Sequence, residues 1–366
     1  MIRIDEIYCN TFVPALQDLN GTGLHWFDPF GTTEFKNICS VPAVGYHAAT
    51  HRIVFWDQEP CHRHTITEFF DQFIQTFRKK NIAKYPVTLI TSEHNSEYVQ
   101  QICDTYDLKS QSYFFHGWAA LDWYRGYNRT FLIQPLEQRK PTKTFLSPNR
   151  IIAGLRQHRL EMLYWIFRAE LHNNHISCPT VCPAENISIY DLARQLPYQD
   201  AESVFRSANL PRQFTGETNH PMHSCWLSLF DEAADSLLYL VTETVAIGKR
   251  YHLTEKTFKP IALGMPFVLL GTRGSLKYLR SYGFQTFEGI WDESYDNAND
   301  DVRPQRIASL LRSLDELTPA GKQDLFEQCI PVIQHNWNHF YNGGFEQVLW
   351  QELSDMLRKI RAESCV

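Results

Sequence analysis

Residues Leu237 to Asp296 read LLYLVTETVAIGKRYHLTEKTFKPIALGMPFVLLGTRGSLKYLRSYGFQTFEGIWDESYD. Leu237 to Val241 is an apolar run of strand length, and Thr242, Glu243 and Thr244 follow it directly. A short loop, Ala246 to Leu253, leads to Thr254-Glu255-Lys256. Phe258, Ile261 and Ala262 recur at helical spacing, which predicts a helix from Thr254 to Leu263 ended by Gly264. Pro266 opens a second apolar strand, Phe267 to Leu270, and Gly274 leads into a helix from Ser275 to Tyr282. Strand, helix, strand, helix is the rhythm of a parallel sheet with crossover helices.

Open α/β sheets bind ligands outside the carboxyl ends of their strands. Glu243 follows one such end, and Thr254 is an N-cap candidate whose helix would direct free N–H groups at an anion. Lys256 and Lys259 lie in the first turns of that helix. Cations there oppose the helix dipole, so a bound diphosphate would explain them. Solvated surface charge explains them equally well.

The same stretch resembles the donor-binding motif of the family 10 α1,3-fucosyltransferases: a strand, a Glu, a short loop, Thr-Glu-Lys opening a helix, then a G-x-P strand. The resemblance implies a GT-B fold and a GDP-sugar donor. It implies that Glu255 and Lys256 contact the sugar and the diphosphate, with His252 standing where an aromatic residue is common and Tyr251 beside it. The run Thr144-Phe145-Leu146-Ser147-Pro148-Asn149-Arg150, followed by Arg156 and Arg159 before an apolar helix, also resembles that family's donor domain. On that match Arg159 is the phosphate-binding arginine, with Arg150 as the second candidate. The match spans Thr144 to Phe287, and the strand-end signature, Phe-Glu-Asn in the family, reads Val241-Thr242-Glu243-Thr244 here.

The chain has 366 residues, 43% hydrophobic and 14% aromatic, enough for two domains of ordinary size. Its net charge of −6 gives no global basic signal for nucleic acid. The N-terminus MIRIDEIYCNTF lacks the apolar core of a signal peptide, and the apolar run from Ile261 to Leu270 is broken by Gly264 and Pro266. No membrane span and a cytoplasmic location are expected. The 9 cysteines form no framework spacing, so reduced, mostly buried thiols are expected.

Along the first half, strands are predicted at Met1–Tyr8, Arg52–Trp56, Val87–Ile90, Tyr113–Phe115 and Thr130–Ile133, with helices at Thr65–Lys79 and Ser96–Tyr106. The polar, Pro-containing stretch Gln134–Lys143 is the linker candidate. Beyond it come a strand at Thr144–Ser147 and a helix at Arg159–Leu171, then helical or mixed pieces at Ile187–Leu196, Ala201–Ser207 and Ser224–Asp235. Helices at Pro304–Leu314, Ala320–Asn336 and Gly344–Arg361 follow, and the acidic stretch Asp292–Asp301 reads as a solvated loop. The expected architecture is α/β: two Rossmann-like domains facing across a cleft, of GT-B type. Residues 1–140 would form the acceptor side and 141–340 the nucleotide-sugar side. By analogy with GT-B enzymes, a last helix over 341–366 would cross back to the first domain.

An inverting sugar transfer needs a general base for the acceptor hydroxyl. Asp57, Glu59 and Glu93 all follow strands of the first half, and each has capping or loop hydrogen bonding as its plainer role. Glu59, pinned by Pro60, is the first candidate. No metal is expected: there is no D-x-D, and Cys61-His62-Arg63-His64 lacks further ligands at suitable spacing. G-x-G-x-x-G and G-x-x-x-x-G-K-[ST] are also absent. His116-Gly117-Trp118 and Trp123-Tyr124 suit sugar stacking, or simply a core. The expected partners are a GDP- or UDP-linked sugar donor and a glycan or other hydroxyl acceptor. A hydroxymethylated DNA base, as in phage DNA glucosyltransferases, is the alternative acceptor, and an inactive GT-B binding module is a third reading.

Overall fold

A computed structural model of the chain describes residues 22–26, 52–57, 87–125, 135–214 and 227–362. The expected strands at Met1–Tyr8 and Thr130–Ile133, the helix at Thr65–Lys79, the Cys61–His64 cluster and Glu59 lie outside them. The chain divides into two compact units. One comprises Met1–Asp122, Lys249–His252 and Glu346–Val366; the other comprises Trp123–Gly248 and Leu253–Phe345.

In the first unit, β1 (Thr22–Trp26), β2 (Arg52–Asp57), β3 (Val87–Thr91) and β4 (Leu108–Ser112) form a parallel sheet in that order. Helix α1 (Glu97–Tyr106) joins β3 to β4 and is capped by Ser96, whose hydroxyl accepts from the Val99 N–H. The fourth strand is LKSQS, not the expected Tyr113–Phe115. It is polar because it is an edge strand, only partly buried, so the hydrophobic run beside it misleads. Tyr113 and Phe114 are core residues, and Phe115 opens α2 (Phe115–Arg125). Trp118 and Tyr124 of α2 are buried, as the core reading of these aromatics has it.

In the second unit β5 (Lys143–Ser147), α3 (Gln157–Arg168), β6 (His175–Ile176) and the antiparallel pair β7 (Val181–Cys182) and β8 (Ile187–Ser188) come first. Short helices α4 (Ile189–Ala193), α5 (Ala201–Ser207) and α6 (Phe230–Asp235) precede β9 (Ser236–Thr242). Then follow α7 (Glu255–Leu263), β10 (Phe267–Leu270), α8 (Ser275–Ser281), α9 (Arg303–Asp315) and α10 (Pro319–Tyr341). The final helix, α11 (Gly344–Ala362), belongs from Glu346 to the first unit. The main sheet is parallel with order β10-β9-β5-β6. Every residue of the central strand β9 is buried, which is why it reads as an unbroken apolar run.

Helix α7 is fixed at both ends by opposite charges that match its dipole. At its carboxyl end Gly264 takes the left-handed conformation (φ 63°), and buried Arg139 donates to the Gly264 and Leu263 carbonyls at 2.7 and 3.0 Å. The stretch expected as a linker thus supplies, at Arg139, a buried cap within the second unit. The acidic stretch 292–301 also differs from expectation. Asp296 is buried and accepts the Leu276 N–H at the start of α8, while Glu293 accepts from Thr286 Oγ1 and the Phe287 N–H. These two carboxyls satisfy backbone and hydroxyl donors, while Asp292 and Asp301 stay exposed. Burial pushes the Asp296 carboxyl up to about 6.

Among the described residues no helix is long and apolar enough to cross a membrane, and no group of three His, Cys, Asp or Glu is placed to hold a metal ion. Cys103, Cys178, Cys182 and Cys329 are buried free thiols.

Candidate functional site

Because β5 pairs with β9 (Leu146↔Tyr239) and β9 with β10 (Leu270↔Thr242), the loops after β5 and β9 emerge side by side. Small polar side chains fix them there. Asn149 donates to the Ser147 carbonyl and hydroxyl at 3.1 and 3.0 Å, its N–H reaches Ser177 Oγ, and Thr242 Oγ1 donates to its Oδ1.

Glu243, the first residue past β9, is completely buried. Its carboxylate accepts four hydrogen bonds: Thr254 N–H (2.9 Å) and Thr257 Oγ1 (2.6 Å) at one oxygen, Thr254 Oγ1 (2.6 Å) and Thr244 N–H (3.0 Å) at the other. The carboxylate therefore anchors the first turn of α7, which Thr254 caps. Glu255 is buried and ion-paired to Lys256 at 2.6 Å, and its carbonyl accepts from Tyr124 Oη. Lys256 Nζ also reaches Thr244 Oγ1 at 3.2 Å and keeps 28% of its side chain exposed. Lys259 sits half-buried on the next turn.

Arg159, in the first turn of α3, is buried. Its two terminal nitrogens donate to the Ile151 and Glu243 carbonyls at 3.1 Å each, and its Nε has no partner. It forms no ion pair with a described carboxylate. Burial pushes its pKa down to about 10, with the Arg156 charge adding to the effect and Glu243 and Glu255 opposing it. The group stays cationic at neutral pH. Arg150 and Arg156 are half-buried in the loop between β5 and α3, and burial and then mutual repulsion with Arg156 lower Arg150 as well. The structure thus brings Arg150, Arg156, Arg159, Glu243, Thr254, Glu255 and Lys256 to one edge of one sheet. Like-charged guanidinium groups held together are destabilising unless an anion sits among them.

His158 was not among the expected site residues. Its Nε2–H donates to the Glu243 carbonyl at 2.8 Å, beside Arg159. Burial first, then the Arg159 charge, push its ring down to about 3, so it is neutral. An unfolded histidine titrates near 6.5, so between that value and 3 the unfolded chain binds the extra proton. This group's contribution is complete above pH 6.5 and falls as pH drops toward 3, by up to about 1.4 kcal/mol per pH unit. Asp296, raised from 3.8 to about 6, acts in the opposite sense between those two values. The His158→Gln variant, which keeps a donor for the Glu243 carbonyl, is expected to lose the histidine's share of the acid-side fall. Urea unfolding of both proteins from pH 7 to 4 measures it, and parallel profiles would contradict it.

The remaining expected residues lie in the first unit. Glu93 is buried, ion-paired to Arg250 at 2.8 Å and hydrogen-bonded by Ser96 Oγ. Arg250 also stacks on Tyr98 at 4.5 Å. His252 is fully buried, with Nδ1 3.4 Å from Ser92 Oγ and its ring edge-on to His116. It thus packs in the first unit, whereas Thr254 to Lys259 belong to the second. Asp57 ends β2, level with Thr91 of β3. A polar cavity of about 390 Å³ lies beside α1 and β4, lined by Glu93, Asn95, Ser96, Gln111 and Ser112 among others.

No family model matches the chain, and no curated protein matches it. Among solved structures it is similar to the crystal structure of the DNA modifying enzyme beta-glucosyltransferase in the presence and absence of the substrate uridine diphosphoglucose. The TM-score is 0.42 and the identity 10%, over 81% of this chain and 74% of that one.

Proposed function

We propose that this chain is a nucleotide-sugar-dependent glycosyltransferase of GT-B type, moving a sugar from a GDP- or UDP-linked donor to an acceptor hydroxyl without a metal ion. The observation that carries this reading is Arg159: a buried guanidinium with no carboxylate partner, beside Arg150 and Arg156, at the carboxyl ends of β5 and β9. A diphosphate suits a buried guanidinium flanked by two more, because the guanidinium fork matches its oxygens.

In the transfer, the acceptor oxygen bonds to the anomeric carbon as the bond from that carbon to the diphosphate oxygen breaks. The electron pair stays on the diphosphate, where Arg159, Arg150 and Lys256 balance the developing charge. A carboxylate takes the acceptor proton. Glu93 is already engaged by Arg250, so Asp57 and Glu59 are the better candidates for that base. The polar cavity of the first unit, within the size range of ligand sites, suits a hydroxyl-rich acceptor.

A thermal-shift screen with UDP, GDP, CMP and their sugar conjugates tests the donor class. A ligand that binds only the folded chain raises its melting temperature. One nucleotide diphosphate and its sugar conjugate are expected to give a shift that Lys256→Ala reduces. No shift with any of them, or a shift unchanged in Lys256→Ala, would count against the site.

A further inference from the structure

Helix α9 begins on a charged residue that faces inward. Arg303 is its first residue, and its side chain is completely buried. A cation at a helix N-terminus opposes the dipole, and a buried one has lost its water. What the guanidinium holds offsets these costs. One terminal nitrogen donates to the Ala246 carbonyl at 3.0 Å and to the Gly271 carbonyl at 2.9 Å. The other donates to the Ala298 carbonyl at 2.8 Å and to Asp300 Oδ1 at 2.9 Å. The Nε has no partner among the described residues, so the fork alone places the group. Ala246 lies in the loop after β9, and Gly271 directly follows β10. Asp300 completes the arrangement, because its Oδ2 accepts the Gly248 N–H at 2.9 Å. One arginine and one carboxylate of the second unit thus hold the loop after β9 at two points and the loop after β10 at a third. The first of these loops carries Thr244, whose hydroxyl lies 3.2 Å from Lys256 Nζ.

We propose that Arg303, paired with Asp300, is a positioning residue for the site that Lys256 serves. It acts through the backbone: by fixing the Ala246 carbonyl it sets Thr244, and through Thr244 the Lys256 ammonium. Glu243 anchors the return of the same loop at Thr254, while Arg303 and Asp300 anchor its outward arm. This rests on the donor reading above, in which Lys256 balances the charge of the diphosphate. An ammonium on a flexible stem acts as a point charge, so its effect depends on how firmly its surroundings direct it.

The test is calorimetric titration of the full chain with GDP and UDP, for the native protein, Arg303→Lys, Asp300→Asn, Lys256→Ala and the Asp300→Asn/Lys256→Ala double variant. Arg303→Lys keeps the charge but replaces the fork with one ammonium, which cannot serve all three carbonyls. Asp300→Asn keeps the shape but turns an amide donor toward either the Gly248 N–H or Arg303. Asp300 is 34% exposed, so its variant decides the matter if melting curves show Arg303→Lys to be unfolded. For the nucleotide that the native protein binds, Arg303→Lys is expected to weaken affinity about tenfold and Asp300→Asn about fivefold. In the Lys256→Ala background, Asp300→Asn is expected to change affinity by less than about twofold, because its effect runs through Lys256. A purely structural role would lower the melting temperature without this non-additivity. Native affinity in folded Asp300→Asn, or the same loss with and without Lys256, overturns the assignment while leaving the diphosphate site standing. Binding of neither nucleotide by the native protein overturns the donor reading and this inference together.

Discussion

Replacing Glu243 with alanine is expected to lower the melting temperature by roughly 10 °C, from a loss on the order of 4 kcal/mol. The carboxylate is completely buried and accepts from the Thr254 and Thr244 N–H groups and from the Thr254 and Thr257 hydroxyls. Alanine leaves all of these donors buried without an acceptor, and it removes the negative charge at the start of α7. Glu243→Gln retains one oxygen and is expected to lose about half as much. Differential scanning calorimetry of the three proteins measures the series. A melting temperature within 2–3 °C of the native value for Glu243→Ala would show that the network does not hold α7. The expected contact of Glu243 with the donor is a separate matter: its hydrogen bonds aim inward, at the segment that presents Lys256.

Arg159→Ala is expected to weaken binding of the cognate nucleoside diphosphate by about 100-fold, the loss of roughly 3 kcal/mol in charge-assisted hydrogen bonds. The same substitution removes donors from the Ile151 and Glu243 carbonyls, so some stability is lost as well. Arg159→Lys separates the two effects. It keeps the charge but not the fork, and it is expected to bind about tenfold more weakly than the native protein. Titration calorimetry, on samples whose melting curves show a folded protein, distinguishes these values. Native-like affinity in Arg159→Ala would mean that the phosphates lie elsewhere.

Much of the second unit was legible in the sequence. The apolar run at β9, the Thr254 cap, the Gly264 stop and the β10 strand all fall where periodicity and capping rules put them. Elements buried on both faces carry that signal strongly. The edge strand β4 was missed because LKSQS has neither alternation nor β-branched residues, and the Tyr113–Phe115 run beside it belongs to the core. Glu293 and Asp296 differ from expectation because an acidic run looks the same whether its charges meet water or protein N–H groups. At the candidate site, the resemblance pointed to Arg159 and Lys256, and the structure places both at the carboxyl ends of β5 and β9. His158 was not visible, because a histidine that donates to a carbonyl beside an arginine has no sequence signature.

A diphosphate site at the carboxyl ends of β5 and β9 is to be measured by titration calorimetry of GDP and UDP into the native chain and into Arg159→Ala. Saturable one-to-one binding of one of the two nucleotides by the native protein, weakened about 100-fold in the variant, is the expected result. Binding of neither nucleotide, or equal affinity in the two proteins, would contradict it.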